Sequence, residues 1–137
     1  MSWIVGLDVG SKTIGLARVD ARSGMARPLQ TLSRRGIDKD LDALLAVLGS
    51  EDIEGFVVGL PLDETGNEQR STRLARQLGA ALVARTGKPV RYQDESHSTL
   101  EAEHRLREAG IRESEWAGLV DSWAAAVILE DWLEEQV

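Results

Sequence analysis

The chain has 137 residues, a formal net charge of −7 at pH 7, 42% hydrophobic and 28% charged residues, and no cysteine. This excludes a disulfide scaffold, a thiol nucleophile and a thiolate metal site, and it matches ordinary globular usage rather than disorder. The length fits one domain over residues 1–137, and no apolar run approaches the roughly 20 residues that cross a bilayer.

Trp3 to Val9 is apolar and rich in β-branched residues, and reads as a buried strand ending at Gly10. Gly10-Ser11-Lys12 is a tight turn, and Thr13 to Asp20 is a second strand. After a turn at Ala21-Arg22-Ser23-Gly24, Arg27 to Ser33 makes a third, weaker strand, so the chain opens with an antiparallel meander. Asp38 caps a helix in which Leu41, Leu44, Leu45 and Leu48 recur at helical spacing until Gly49. Glu54 to Leu60, with Phe56-Val57-Val58, is a short buried strand, and Pro61 stops its ladder. Residues 61–66 form a loop.

Asn67 to Arg85 is helical, with Leu74, Leu78, Ala81 and Leu82 on one face and Arg70, Arg73 and Arg76 off it. Gly87-Lys88-Pro89 breaks that helix, and Val90 to Asp94 is a fifth strand. Ser98-Thr99-Leu100-Glu101 has capping-box spacing and starts a helix that Gly110 ends. Val120 to Glu135 is the last helix, with Trp123, Ala124, Val127, Ile128 and Trp132 on a broad apolar face. Strands joined through helices imply a partly parallel sheet. The expected fold class is α/β: one five-stranded mixed sheet, with an antiparallel meander followed by parallel strands, flanked by helices.

The net charge conceals segregation. Residues 1–37 carry +4 and residues 67–91 carry +5, whereas residues 38–66 carry −7 and residues 92–137 carry −9. Of the 16 basic residues, 13 are arginine, whose planar fork suits phosphate oxygens. Two basic segments brought together by folding would make a local anion-binding face, so the negative total does not exclude nucleic acid.

Three sets of acids occupy unusual positions. Asp8 interrupts an apolar strand, where a carboxylate needs a partner or a metal. Asp94 and Glu95 follow the fifth strand, at the edge where open α/β sheets bind ligands; being adjacent, only one is expected to enter a site. Asp121 starts the last helix, where it reads as a ligand or equally as an N-cap. Convergent carboxylates without thiols make a hard-oxygen site that selects Mg²⁺ or Mn²⁺, and two such ions can stabilise the attacking and leaving oxygens of a phosphoryl displacement. Ser11 and Lys12 in the glycine turn, Arg70, Arg73 and Arg76 on the helix, and His97 and Thr99 behind the carboxylate pair are candidate substrate contacts. His97 and His104 do not read as a zinc pair.

The segment Gly6-Leu7-Asp8-Val9-Gly10-Ser11-Lys12-Thr13-Ile14-Gly15 resembles the first motif of the YqgF/RuvX family. Val57-Val58-Gly59-Leu60-Pro61-Leu62 with Gly66, Asp94-Glu95 with Ser98-Thr99, and Val120-Asp121-Ser122 resemble its other three, in family order. The resemblance implies a ribonuclease H-like fold related to Holliday junction resolvases. It also implies a nuclease with Asp8, Glu95 and Asp121 as catalytic and metal-binding acids, acting on precursor 16S rRNA at its 5′ end, on branched DNA, or on both. Ser96 stands where the family usually carries arginine, and Arg112 to Gly118 is less basic than usual.

The expected location is the cytoplasm, because the opening residues lack the basic segment of a signal peptide. No membrane partner is expected. Symmetric cutting of a four-way junction would require a two-fold homodimer. Two other readings are open: a nucleic-acid-binding module without catalysis, and an actin-like ATP-binding domain, which normally needs a second domain to close on the nucleotide.

Overall fold

In the computed structural model, which describes residues 2–136, the opening meander is β1 (Ser2–Val9), β2 (Thr13–Asp20) and β3 (Ala26–Ser33). α1 (Ile37–Leu48) leads to β4 (Asp52–Leu60), α2 (Arg70–Thr86) to β5 (Val90–Asp94), and α3 (Ser98–Glu108) through a short 3-10 helix (Glu113–Gly118) to α4 (Val120–Glu135). The sheet order is β3-β2-β1-β4-β5. β1 pairs antiparallel with β2, with Asp8 opposite Gly15, and parallel with β4, with Leu7 opposite Val58. β4 and β5 run parallel, with Leu60 opposite Asp94. The expected mixed sheet is therefore present.

β1 is apolar without alternation because it is central and covered on both faces. Val5, Leu7 and Val9 pack with Leu41, Leu44 and Leu48 of α1 and Ala75, Leu78 and Leu82 of α2. Ile4 on the other face packs with Ala125, Ala126, Ile128 and Leu129 of α4. Six consecutive residues of α4, Ala124 to Leu129, are buried, because the helix lies between the sheet and α3. Leu44, Leu78 and Ile128 are fully buried, and truncating any of them to alanine should cost about 2–5 kcal/mol. Among the described residues no helix is long and apolar enough to cross a membrane.

Several helix starts differ from expectation, and each difference has a local cause. Gly36, not Asp38, precedes α1, and Asp40 one turn further in is buried. α2 begins at Arg70 rather than Asn67, because the Asp63 carboxylate accepts the Thr65 and Asn67 backbone N–H groups and holds that segment as a turn. Gln69 and Thr72 then form the capping box. Ser98 does not cap α3: its hydroxyl donates to the Glu95 carbonyl at 2.9 Å. Leu119, not Asp121, precedes α4. With these starts, the N-termini of all four helices lie at the edge of the sheet where β1, β4 and β5 end. The partial positive charge of helix N-termini is concentrated there.

Candidate functional site

Asp8, one residue from the end of β1, sits opposite Gly15 on the face covered by α4. A Cβ on Gly15 would strike the backbone carbonyl of Asp121, so only glycine lets the start of α4 rest directly on β2. The contact brings Asp121 beside Asp8. Thr13 Oγ1 donates to Asp121 Oδ2 at 2.5 Å, which aims the carboxylate at the sheet edge instead of at its own helix.

Glu95 follows β5. Its N–H donates to the Leu60 carbonyl at 3.2 Å, extending the ladder by one residue, and its carbonyl accepts the Ser98 N–H at 2.9 Å. A Cβ on Gly59 would lie 3.0 Å from the Glu95 carboxyl, so the strand beside it is cut back to admit that group. Asp94, by contrast, is exposed and accepts the Ser96 N–H at 3.0 Å. Of the adjacent pair, Glu95 alone is directed into the cleft.

The cleft has a volume of about 400 Å³ and is lined by Asp8, Glu95 and Asp121 with Gly10, Ser71, Ser96 and Thr99. Its electrostatics are self-repulsive. Burial, a hydrogen bond to Asp8 and the charges of Asp8, Asp121 and Asp94 push the Glu95 carboxyl up to about 10. Burial and the Asp121 charge also raise Asp8, while the hydrogen bond from Glu95 opposes that rise. At neutral pH Glu95 therefore keeps its proton and donates it to Asp8.

In this arrangement, among the described residues no three acidic or imidazole groups converge closely enough to grip one ion. Chemically the set nonetheless suits a hard divalent cation. All donors are carboxylate oxygens, and a cation would relieve the repulsion that now holds a proton on Glu95. Asp8, Glu95 and Asp121 are the residues that would hold it.

The other sequence candidates divide. Thr99 lines the cleft. Arg70 and Arg73 flank Ser71 at the start of α2, exposed and without an acidic partner among the described residues. Arg76 is engaged elsewhere, paired with Glu68 at 2.7 Å and lying 5.0 Å from the Tyr92 ring centre. His97 pairs with Asp131 of α4 at 2.9 Å. Ser11 and Lys12 are exposed on the turn just outside the cleft lining.

Sequence reasoning missed Thr13, Arg34 and Asp40. Arg34 donates from Nε to Asp40 Oδ2 and from Nη1 to the Gly10 carbonyl, each at 2.8 Å, and its own N–H donates to the Lys12 carbonyl at 2.9 Å. The Arg35 N–H donates to Asp40 Oδ1 at 2.8 Å. A buried ion pair thus clamps the turn that follows Asp8. Its signal in the sequence was an acid in the first turn of an amphipathic helix, on the side its leucines occupy.

Comparison with known proteins bears on this geometry. Residues 2–135 match the RuvX family, described as Holliday junction resolvase. A protein of Anaeromyxobacter sp. strain Fw109-5 named "Putative pre-16S rRNA nuclease" is 45% identical over 130 residues, covering 95% of each chain. One of the same name from Anaeromyxobacter dehalogenans strain 2CP-C is 43% identical over 132 residues, covering 96% of each. Among solved structures, RuvC of T. thermophilus in complex with a Holliday junction substrate superposes with a TM-score of 0.57 at 20% identity, over 99% of this chain and 96% of that one. That likeness establishes a shared ribonuclease H-like fold.

Proposed function

The chain belongs to the RuvX family, a nuclease family, and from that premise we propose that it is a divalent-metal-dependent phosphodiesterase acting on structured nucleic acid. The observation that carries this reading is the meeting of Asp8, Glu95 and Asp121, from the first strand, the fifth strand and the last helix, in one cleft. A protein that only bound a polyanion would gain nothing from gathering three acids, one of them buried, at its binding edge. The separate helix starts and the Gly15 contact that assemble these acids also make little sense for a bare binding module.

Bound Mg²⁺ or Mn²⁺, most economically two ions, would supply Lewis-acid stabilisation of the attacking and leaving oxygens. Asp8, Glu95 and Asp121 would hold the cations. Thr13 keeps the Asp121 carboxylate turned toward the cleft. Arg70 and Arg73, at the N-terminus of α2, bind the phosphates on one side, and Thr99 orients the strand beside Glu95. Ser11 and Lys12 meet it on the other side. Where the family usually has arginine, Ser96 lines the cleft, so phosphate binding rests more heavily on α2.

The substrate we favour is the 5′ end of precursor 16S rRNA, after the names of the relatives, with branched DNA as the alternative from the family's description. A homodimer accompanies the DNA reading alone, and the cytoplasm is the compartment we assign. The test is cleavage of precursor rRNA and of a four-way DNA junction in the presence of Mn²⁺, with Asp8→Asn alongside. Loss of cleavage in the variant supports the assignment; undiminished cleavage would sink it.

A further inference from the structure

Nine of the sixteen cations have no acidic partner among the described residues, and Arg22, Arg27, Lys88 and Arg91 among them lie toward the edge opposite the acidic cleft. Lys12, Arg35, Lys39, Arg70 and Arg73 lie at the edge that carries the acidic cleft. Arg70 and Arg73 flank that cleft on the α2 side. Arg35 and Lys39 line a different cleft, of about 450 Å³, between β3 and α1. β3 is the outer strand of the sheet, so one row of its backbone N–H and C=O groups faces this cleft without a strand partner.

Charge within this second cleft can be accounted for residue by residue. Two acids line it. Asp40 is consumed by the Arg34 guanidinium and the Arg35 N–H, each at 2.8 Å. Asp42 accepts from Arg85 of α2 at 2.8 Å. Asp38 lines the opposite side of α1, facing Ala81 and Arg85. Arg85 is shared between Asp42 and Asp38, and the lining cations without an acidic partner are Arg35 and Lys39, beside the polar side chains of Ser33 and Gln30. The Arg34 N–H, bonded to the Lys12 carbonyl, joins this cleft directly to the turn after Asp8.

We propose that the cleft between β3 and α1 is a second phosphate-binding site, in which Arg35 and Lys39 with Ser33 and Gln30 hold a backbone phosphate of the polynucleotide that crosses the acidic cleft. The inference rests on the nuclease reading above. A polyanion approaching three carboxylates is repelled by them, and an anchor away from the reacting bond offsets that repulsion without crowding the acids. Cations at both flanks fix the path of the strand: Arg70 and Arg73 on one side, Lys12 and then Arg35 and Lys39 on the other.

The test uses the Asp8→Asn chain to measure RNA binding across salt concentrations. Adding Arg35→Ala/Lys39→Ala should weaken binding several-fold and flatten the slope of log affinity against log salt by about 0.7–0.9, for one phosphate no longer neutralised. Lys88→Ala/Arg91→Ala removes two equally exposed cations from the opposite edge of the sheet and should leave the slope unchanged. In the otherwise wild-type chain, Arg35→Ala/Lys39→Ala should raise KM for the polynucleotide. It should leave Mn²⁺-dependent hydrolysis of bis(p-nitrophenyl) phosphate unchanged, because that diester reaches only the acidic cleft. Lys39→Glu, also at an exposed position, should weaken RNA binding further. An unchanged slope, or an equal fall for the opposite-edge pair, overturns the second site and leaves the nuclease reading intact. A flattened slope, together with a wild-type chain that cleaves neither precursor rRNA nor a four-way junction in Mn²⁺, overturns the nuclease reading and leaves a nucleic-acid site.

Discussion

Asp40 and Glu95 are both buried acids, 2% and 9% exposed, and the fold treats them in opposite ways. Asp40 is given every partner it needs: a guanidinium on one oxygen and a backbone N–H on the other. Glu95 is placed among other acids and kept from ionising until about 10. A satisfied buried carboxylate stabilises the shape around it. One set among like charges is held in readiness for a cation from solution, and this difference separates scaffold from site more clearly than burial does.

The largest expected effect breaks the contrast at the site. Asp8→Asn should lower Mn²⁺-dependent cleavage by at least about 10³-fold, and in the same variant the cation-free protein should melt at a higher temperature, since one source of repulsion is gone. A variant that loses activity and also melts lower would mean that the acids contribute to the fold. The next effect breaks the contrast at the scaffold. Arg34→Met leaves Asp40 buried without its cation and should destabilise the chain by about 3–5 kcal/mol in denaturant unfolding. A loss under 1 kcal/mol would show that water reaches Asp40 and replaces the pair.

The third prediction concerns pH. Because Glu95 is pushed from 4.5 to about 10, the folded chain holds a proton there that the unfolded chain has released. Stability of the cation-free protein should therefore fall as pH rises through that window, with Asp8 shifted in the same direction. Adding Mn²⁺ should raise the melting temperature, more so at alkaline than at acidic pH, with a proton released on binding. Calorimetry in buffers of different ionisation enthalpy measures that proton, and a cation that binds without releasing one would contradict the coupling. The smallest effect sharpens the comparison within the site. Thr13→Val removes the donor to Asp121 and should lower cleavage about tenfold, while Thr13→Ser retains most of it. Equal loss in both would assign Thr13 to packing alone.

Much of this was legible in the sequence. The strands and helices follow from apolar runs, periodicity and glycine punctuation, and the mixed sheet follows from their order. Asp8 stood out because an ionisable group in a fully apolar strand has few other uses. Asp121 stayed ambiguous because an acid at a helix start serves equally as a cap, and only the Thr13 hydroxyl decides its direction. Helix starts were misplaced where a side chain competes for backbone N–H groups, as Asp63 does before α2. Arg76 and His97 were candidate substrate contacts in a sequence that lists charges without their partners, and the fold pairs them with Glu68 and Asp131. The Arg34–Asp40 clamp was invisible for the same reason in reverse: two charges that cancel one another read as surface.

The bond between Thr13 and Asp121 spans 108 positions of sequence. Asp8 is made with the first strand, but the cleft does not exist until α4 has reached Gly15. A ribosome releasing this chain from its N-terminus thus exposes the meander, both flanking clusters of cations and two of the three acids before any complete centre is present. The order of synthesis would itself act as a safety catch on the proposed activity: an interrupted chain would carry the proposed phosphate contacts without the third acid of the proposed centre.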